Sequence, residues 1–124
     1  MEPIENLLLQ QRKIFKQLSN YKLKNYSKIL ILNNYLNIIS DKYGINLKSL
    51  KGKTRIREIV EARQLFCATA KHLNPKISYK IIGSIINRDH STVLYSIKTV
   101  KNIKSLQKEF KEIIKFLNYE YFKH

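Results

Sequence analysis

In the stretch Asn87-Arg88-Asp89-His90-Ser91-Thr92-Val93, a short polar break ending before Val93 divides two apolar runs of helical period and constrains this chain more than any other feature. Ile81, Ile82, Ile85 and Ile86 precede it, and Val93, Leu94, Ile97 and Val100 follow it. Asn87 tolerates the left-handed backbone of a tight turn. Asp89 suits an N-cap, because its carboxylate accepts from the free N–H groups of the next turn. The stretch therefore predicts a helix, a short turn and a second helix. His90, Ser91 and Thr92 fill the first turn of that second helix.

The second helix separates its faces. At about 100° per residue, Val93, Leu94, Ile97 and Val100 share one side. Arg88, Ser91, Tyr95, Lys98 and Asn102 fall on the other, which is polar, basic and carries one aromatic. Two readings fit: a solvated helix with a good cap, or a helix shaped for a groove. In a helix-turn-helix, the opening residues of the second helix reach base edges in the major groove.

Charge bears on that choice. The formal net charge is +15 and the pI is near 10.0, which favours a polyanion as partner. Part of this is bias, because Lys, Asn, Ile and Tyr recur along the whole chain. Arginine is more selective. Arg12, Arg55, Arg57, Arg63 and Arg88 are the five, and four of them lie between positions 55 and 88. A planar guanidinium binds phosphate or guanine in two places, or enters a narrow groove.

Read in order, Pro3 to Ser19 predicts an amphipathic helix with Ile4, Leu7, Leu8, Ile14, Phe15 and Leu18 as its stripe. That stripe packs on the domain or on a second copy. Residues 19 to 27 read as a linker. Ser27 then caps a helix to Tyr43, with Ile29, Leu32, Tyr35, Leu36 and Ile39 inward and Gly44 as its left-handed end. A short helical turn covers Ile45 to Leu50, and Lys51-Gly52-Lys53 forms a basic loop. Thr54 is the expected cap of a long helix to Leu73, its core side made by Ile56, Ile59, Val60, Phe66, Cys67, Ala70 and Leu73. Arg63 interrupts that stripe, either as a structural arginine paired to a nearby acid or carbonyl or as a DNA contact. Asn74-Pro75 ends the helix, since the residue before Pro avoids the helical region. Ser78 caps the next helix, and Gly83 inside it points to close helix packing. Beyond Asn102, Ile103, Leu106, Phe110, Ile113, Ile114 and Leu117 continue at helical spacing.

No strand alternation appears. The fold class is all-α, six or seven helices including a helix-turn-helix. Three parts are expected: 1–27, an N-terminal helix and linker; 28–102, the helix-turn-helix domain; and 103–124, a C-terminal helix.

Several chemistries are excluded. Gly52-Lys53-Thr54 imitates the end of a phosphate-binding P-loop, but the first glycine of that motif would fall on Leu47. The single Cys67 leaves no internal disulfide or Cys-rich zinc site, and His72, His90 and His124 show no ligand spacing with it. Asp89, His90 and Ser91 are neighbours in sequence, and helical geometry turns adjacent side chains apart, so they make no Ser-His-Asp triad. No catalytic residue, cofactor or metal is expected. No apolar run reaches transmembrane length and Met1-Glu2-Pro3 is no signal peptide, which predicts an intracellular, cytoplasmic protein; nucleoid association is expected with DNA as the polyanion.

Thr54 to Gln64, then Ser78 to Gly83, then Arg88-Asp89-His90-Ser91-Thr92-Val93 resemble the C-terminal DNA-binding domain of the DnaA family, bacterial chromosomal replication initiators. The resemblance covers Leu30 to Asn102. One departure lies in the turn: Phe-Gly-Gly is usual before the Arg-Asp-His, and this chain has Ile86-Asn87, one residue shorter. The fold implied is of the Trp-repressor-like kind, without the family's ATPase module. By resemblance, Arg55 is the minor-groove arginine and Asp89, His90, Ser91 and Thr92 are the major-groove readers. Gln64, Lys71 and Ser78 resemble phosphate contacts, and Arg57, Arg88 and Lys98 join them as further backbone candidates. The expected partner is double-stranded DNA with a DnaA-box-like site, in replication initiation or its regulation. Homodimerisation through the terminal helices and competition with a full-length initiator are also open. The alternative function is a basic RNA- or protein-interaction module, or a transcription regulator, on the same fold.

Overall fold

Helix boundaries in this chain follow from local chemistry at most of its breaks. The computed structural model describes residues 20–122. Six helices lie among them: α1 (Asn20–Tyr43), α2 (Leu47–Lys51), α3 (Arg57–Leu73), α4 (Tyr79–Ile85), α5 (His90–Asn102) and α6 (Lys104–Phe122). There is no strand among the described residues, in keeping with the all-α expectation. The helix expected over Pro3 to Ser19 lies outside the described residues.

Gly44 ends α1 at φ +64°. The Asn46 side chain caps α2 by accepting from the Ser49 N–H at 2.7 Å. Asn74 closes α3, its N–H donating to the Ala70 carbonyl, and its side-chain amide donates to the Tyr35 hydroxyl at 3.0 Å. Ser78 caps α4 through the Ile81 N–H at 3.2 Å. Each of these carries one orphan group of a helix end.

Four expectations are corrected. Helix α1 starts at Asn20, so positions 20–27 are not a linker and Ser27 lies inside a helix. The stretch is polar, but it holds no Gly or Pro to stop a helix. Thr54 does not cap α3: the N-cap is Ile56, without a side-chain cap, and the Thr54 hydroxyl reaches only the Ile56 N–H at 3.4 Å. Ile56 is consequently outside the core stripe, 57% exposed, and Ile29 is exposed too. Lastly, the helical run past Asn102 is interrupted at Ile103, whose extended backbone separates α5 from α6.

Helix α3 is the axis of the packing and touches all the other described helices. Ala62, Leu65, Phe66, Cys67 and Ala70 face Leu32, Leu36 and Ile39 of α1, Val93 and Val100 of α5, and Leu106, Ile113 and Leu117 of α6 in one buried cluster. Each fully buried large side chain contributes roughly 1.5–3 kcal/mol by area. Cys67 is fully buried, and burial pushes its thiol pKa up to about 12, so it acts as a small apolar side chain. Helix α5 is thereby held along its inner side, with the opposite side left to solvent.

Candidate nucleic-acid interface

The turn between α4 and α5 is short because two residues allow it. Asn87 takes the left-handed conformation, φ +56°. Gly83 accepts at its carbonyl from the N–H groups of both Ile86, at 3.1 Å, and Arg88, at 2.8 Å. A Cβ at Gly83 would lie 2.2 Å from the Arg88 carbonyl oxygen and 3.2 Å from Val93 Cγ2. Only glycine fits that approach, which accounts for its presence inside a helix.

Asp89 caps α5. Its carboxylate accepts from the Thr92 N–H at 2.8 Å. This backbone bond, then the Thr92 hydroxyl, lowers the Asp89 pKa below its ordinary value. His90, Ser91 and Thr92 are all exposed in the first turn of α5.

Two arginines hold the loop from Lys51 to Ile56 against that turn. Arg63 is 6% exposed and donates to four carbonyls: Leu50 at 2.8 Å, Thr54 at 2.7 Å, Ser49 at 2.8 Å and Gly52 at 3.0 Å. Burial, then the nearby Arg88, lowers its pKa. Arg88 donates to Gly52 at 2.5 Å and to the Ile86 and Asn87 carbonyls at 3.2 and 3.1 Å. The Asn87 amide adds a bond to the Lys51 carbonyl at 3.1 Å. Arg63 is thus the structural arginine of the two sequence readings. Arg88 is largely committed to carbonyls as well.

Loop and helix enclose a cleft of about 630 Å³, lined by Arg55, Gln64, Arg88, Thr92 and Tyr95 among others. Arg55 is exposed on its loop and makes no hydrogen bond among the described residues. The other predicted residues stand apart from this cleft. Arg57 pairs with Glu61 at 3.0 Å on the surface. Lys71 donates to the Ile77 carbonyl at 2.7 Å and sits 4.3 Å from the Tyr79 ring centroid. Ser78 spends its hydroxyl on the α4 cap. Lys98 is exposed on α5. Lys53 and Tyr95 were not among the predicted contacts, yet both line the cleft, and Tyr95 is 67% exposed. An unburied aromatic on the polar face of α5 was the available signal for Tyr95.

Residues 33–100 match the family model described as the bacterial dnaA protein helix-turn-helix. The chain belongs to the DnaA helix-turn-helix family. Relatives named chromosomal replication initiator protein DnaA share the DnaA sequence over most of this chain. That of Flavobacterium psychrophilum is 38% identical over 104 residues, 83% of this chain and 22% of the relative. That of Bacteroides thetaiotaomicron is 34% identical over 93 residues, 72% of this chain and 20% of the relative. That of Mesoplasma florum is 35% identical over 83 residues, 67% and 19%. The chain spans about a fifth of the length of these DnaA relatives. Among the described residues no cluster of His, Cys, Asp and Glu could hold a metal, and no helix is long and apolar enough to cross a membrane.

Proposed function

We propose that the chain binds a specific double-stranded DNA sequence of the DnaA-box type, in replication initiation or its regulation, and catalyses no reaction itself. The observation that carries this is the cleft that sets Arg55 opposite Thr92, between a clamped loop and a capped helix. In this reading α5 enters the major groove by its first turn. His90, Ser91 and Thr92 meet base edges there, and the Thr92 methyl meets a thymine methyl. Arg55 enters the neighbouring minor groove, where a narrow A·T-rich stretch concentrates negative potential. Asp89 mainly organises the first turn. Gln64, Lys98 and Arg57 contribute to phosphate contacts, which position without reading.

The test compares duplexes with and without a box-type sequence, as salt is raised. Affinity for both should fall steeply in log–log form. Replacing Ser91 and Thr92 together by Ala should lower the preference ratio by about one to two orders of magnitude while sparing non-specific binding. Arg55→Lys should restore little of what Arg55→Ala loses, because ammonium is more strongly hydrated. Equal weakening on every sequence would instead favour the basic interaction-module reading.

A further inference from the structure

Helix α6 carries a charge pattern that the reading above does not use. Lys104, Lys108, Lys111 and Lys115 recur at alternating spacings of four, three and four. At about 100° per residue they fall within about 60° of one another, on the side opposite the buried Leu106, Ile113 and Leu117. All four are exposed, and none forms an ion pair among the described residues. Two acids of α6, Glu109 and Glu112, are engaged elsewhere. Glu109 accepts from the Tyr43 hydroxyl at 2.6 Å, and Glu112 lies 4.0 Å from Lys42 of α1. Like charges three and four residues apart disfavour a helix. A surface needed only for solubility gains by mixing signs, and this one does not.

The ridge runs roughly 16 Å along the helix axis. One strand of duplex DNA presents about five phosphates over that length. Four cations therefore match the repeat of a phosphate backbone. Between Lys104 and Lys115 the lysine side of α6 carries no apolar residue: Leu106 and Ile113 are buried, and the half-exposed Phe116 lies about 100° round the helix from Lys115. A bilayer finds nothing there to insert, and a folded acidic partner finds no hydrophobic anchor. A phosphate backbone requires neither. The ridge also begins two positions after α5 ends, beyond the exposed Lys98 and Lys101.

We infer that Lys104, Lys108, Lys111 and Lys115 form a second, sequence-blind surface that binds the phosphates of duplex DNA outside the stretch met by α5. This rests on the DNA-binding reading above. The phosphates come from flanking DNA of the same duplex or from a second duplex.

The experiment uses the full chain and a variant with all four lysines changed to Gln, which keeps helix propensity. Binding is measured against salt on a minimal box duplex and on a long duplex with flanks. On the minimal duplex the two proteins should match. On the long duplex the variant's log–log salt slope should be shallower by about two to three and a half. Box preference should be unchanged. If the phosphates belong to a second duplex, the loss appears instead as failure to recruit a labelled duplex to an immobilised one. Removing Lys28 from α1 controls for net charge. The inference is overturned if that control lowers the slope equally per charge. It is also overturned if the ridge variant matches the original chain in both arms, or loses only its binding to phosphatidylglycerol vesicles. Unfolding is checked by melting temperature, which should not fall, and by the paired variants Lys104→Gln/Lys108→Gln and Lys111→Gln/Lys115→Gln, each giving about half the effect. Failure of the α5 reading shows separately, as absent box preference in the original chain with the slope difference intact.

Discussion

The two flanks of α3 are held by different physics. On the α1 and α6 side, Leu36, Ile39, Phe66, Ile113 and Leu117 are all but fully buried in one apolar cluster. On the α5 side, the loop at 51–56 is held by side chains bonding to backbone carbonyls, with Arg63, Arg88 and Asn87 as donors. Apolar packing is strong but indifferent to small shifts of direction. Hydrogen bonds to fixed carbonyls are directional, so they define a shape as well as a stability. The proposed recognition surface is built with the second kind and supported by the first.

The largest effect expected is on the packed flank. Phe66→Ala should cost about 3–5 kcal/mol of stability, measured by urea unfolding, yet leave box preference intact wherever the protein is still folded. Arg63→Met should break the contrast from the other side. It leaves carbonyls of Ser49, Leu50, Gly52 and Thr54 short of donors, at about 1–3 kcal/mol for each one that stays buried. DNA affinity should fall by more than the loss of stability explains, and proteolysis should cut first at residues 51–56. Equal losses in both properties would mean that the clamp is only a stabiliser.

Gly83→Ala tests the turn. Overpacking costs typically 1–3 kcal/mol, and the Arg88 carbonyl cannot yield without moving the start of α5. Base preference should decline along with stability. The smallest effect belongs to Asp89→Ala, which removes one exposed helix cap. Its pH dependence sharpens the comparison. The folded pKa of Asp89 is depressed, so the cap's contribution is complete above the ordinary carboxylate range. It is lost as pH falls through that range to the lower folded value. The difference in melting temperature between the original chain and Asp89→Ala should therefore close under acid, and not near neutrality.

Much of this was legible in the chain itself, and the reasons differ by residue. Asp89 and Ser78 cap N–H groups three positions on, and Gly44 and Asn87 supply left-handed backbone at their own positions, so these roles follow from local geometry. Gly83 announced a close approach, though not that the Arg88 carbonyl was the neighbour. Thr54 misled because α3 is started by a loop fixed from afar: Arg63 lies nine residues from the Thr54 carbonyl it holds. The commitment of Arg88 to Gly52 spans thirty-six positions and no periodicity reveals it. Lys71 looked like a free cation until the fold brought the Ile77 carbonyl and the Tyr79 ring to it. Arg55 makes no hydrogen bond or ion pair among the described residues, in line with its exposed place on the loop.

The carbonyl of Gly52 receives a donor from Arg63 and another from Arg88. One oxygen thus ties the arm bearing Arg55 to the base of α5, and neither can swing without dragging the other. On the proposed DNA the pair works as a ruler of fixed length, laid across two adjacent grooves. One base pair inserted between the two contact points turns the second by about 34°. The protein has no slack to follow that rotation. Such an insertion should be rejected even when every base at both ends is correct, so spacing becomes part of what is read.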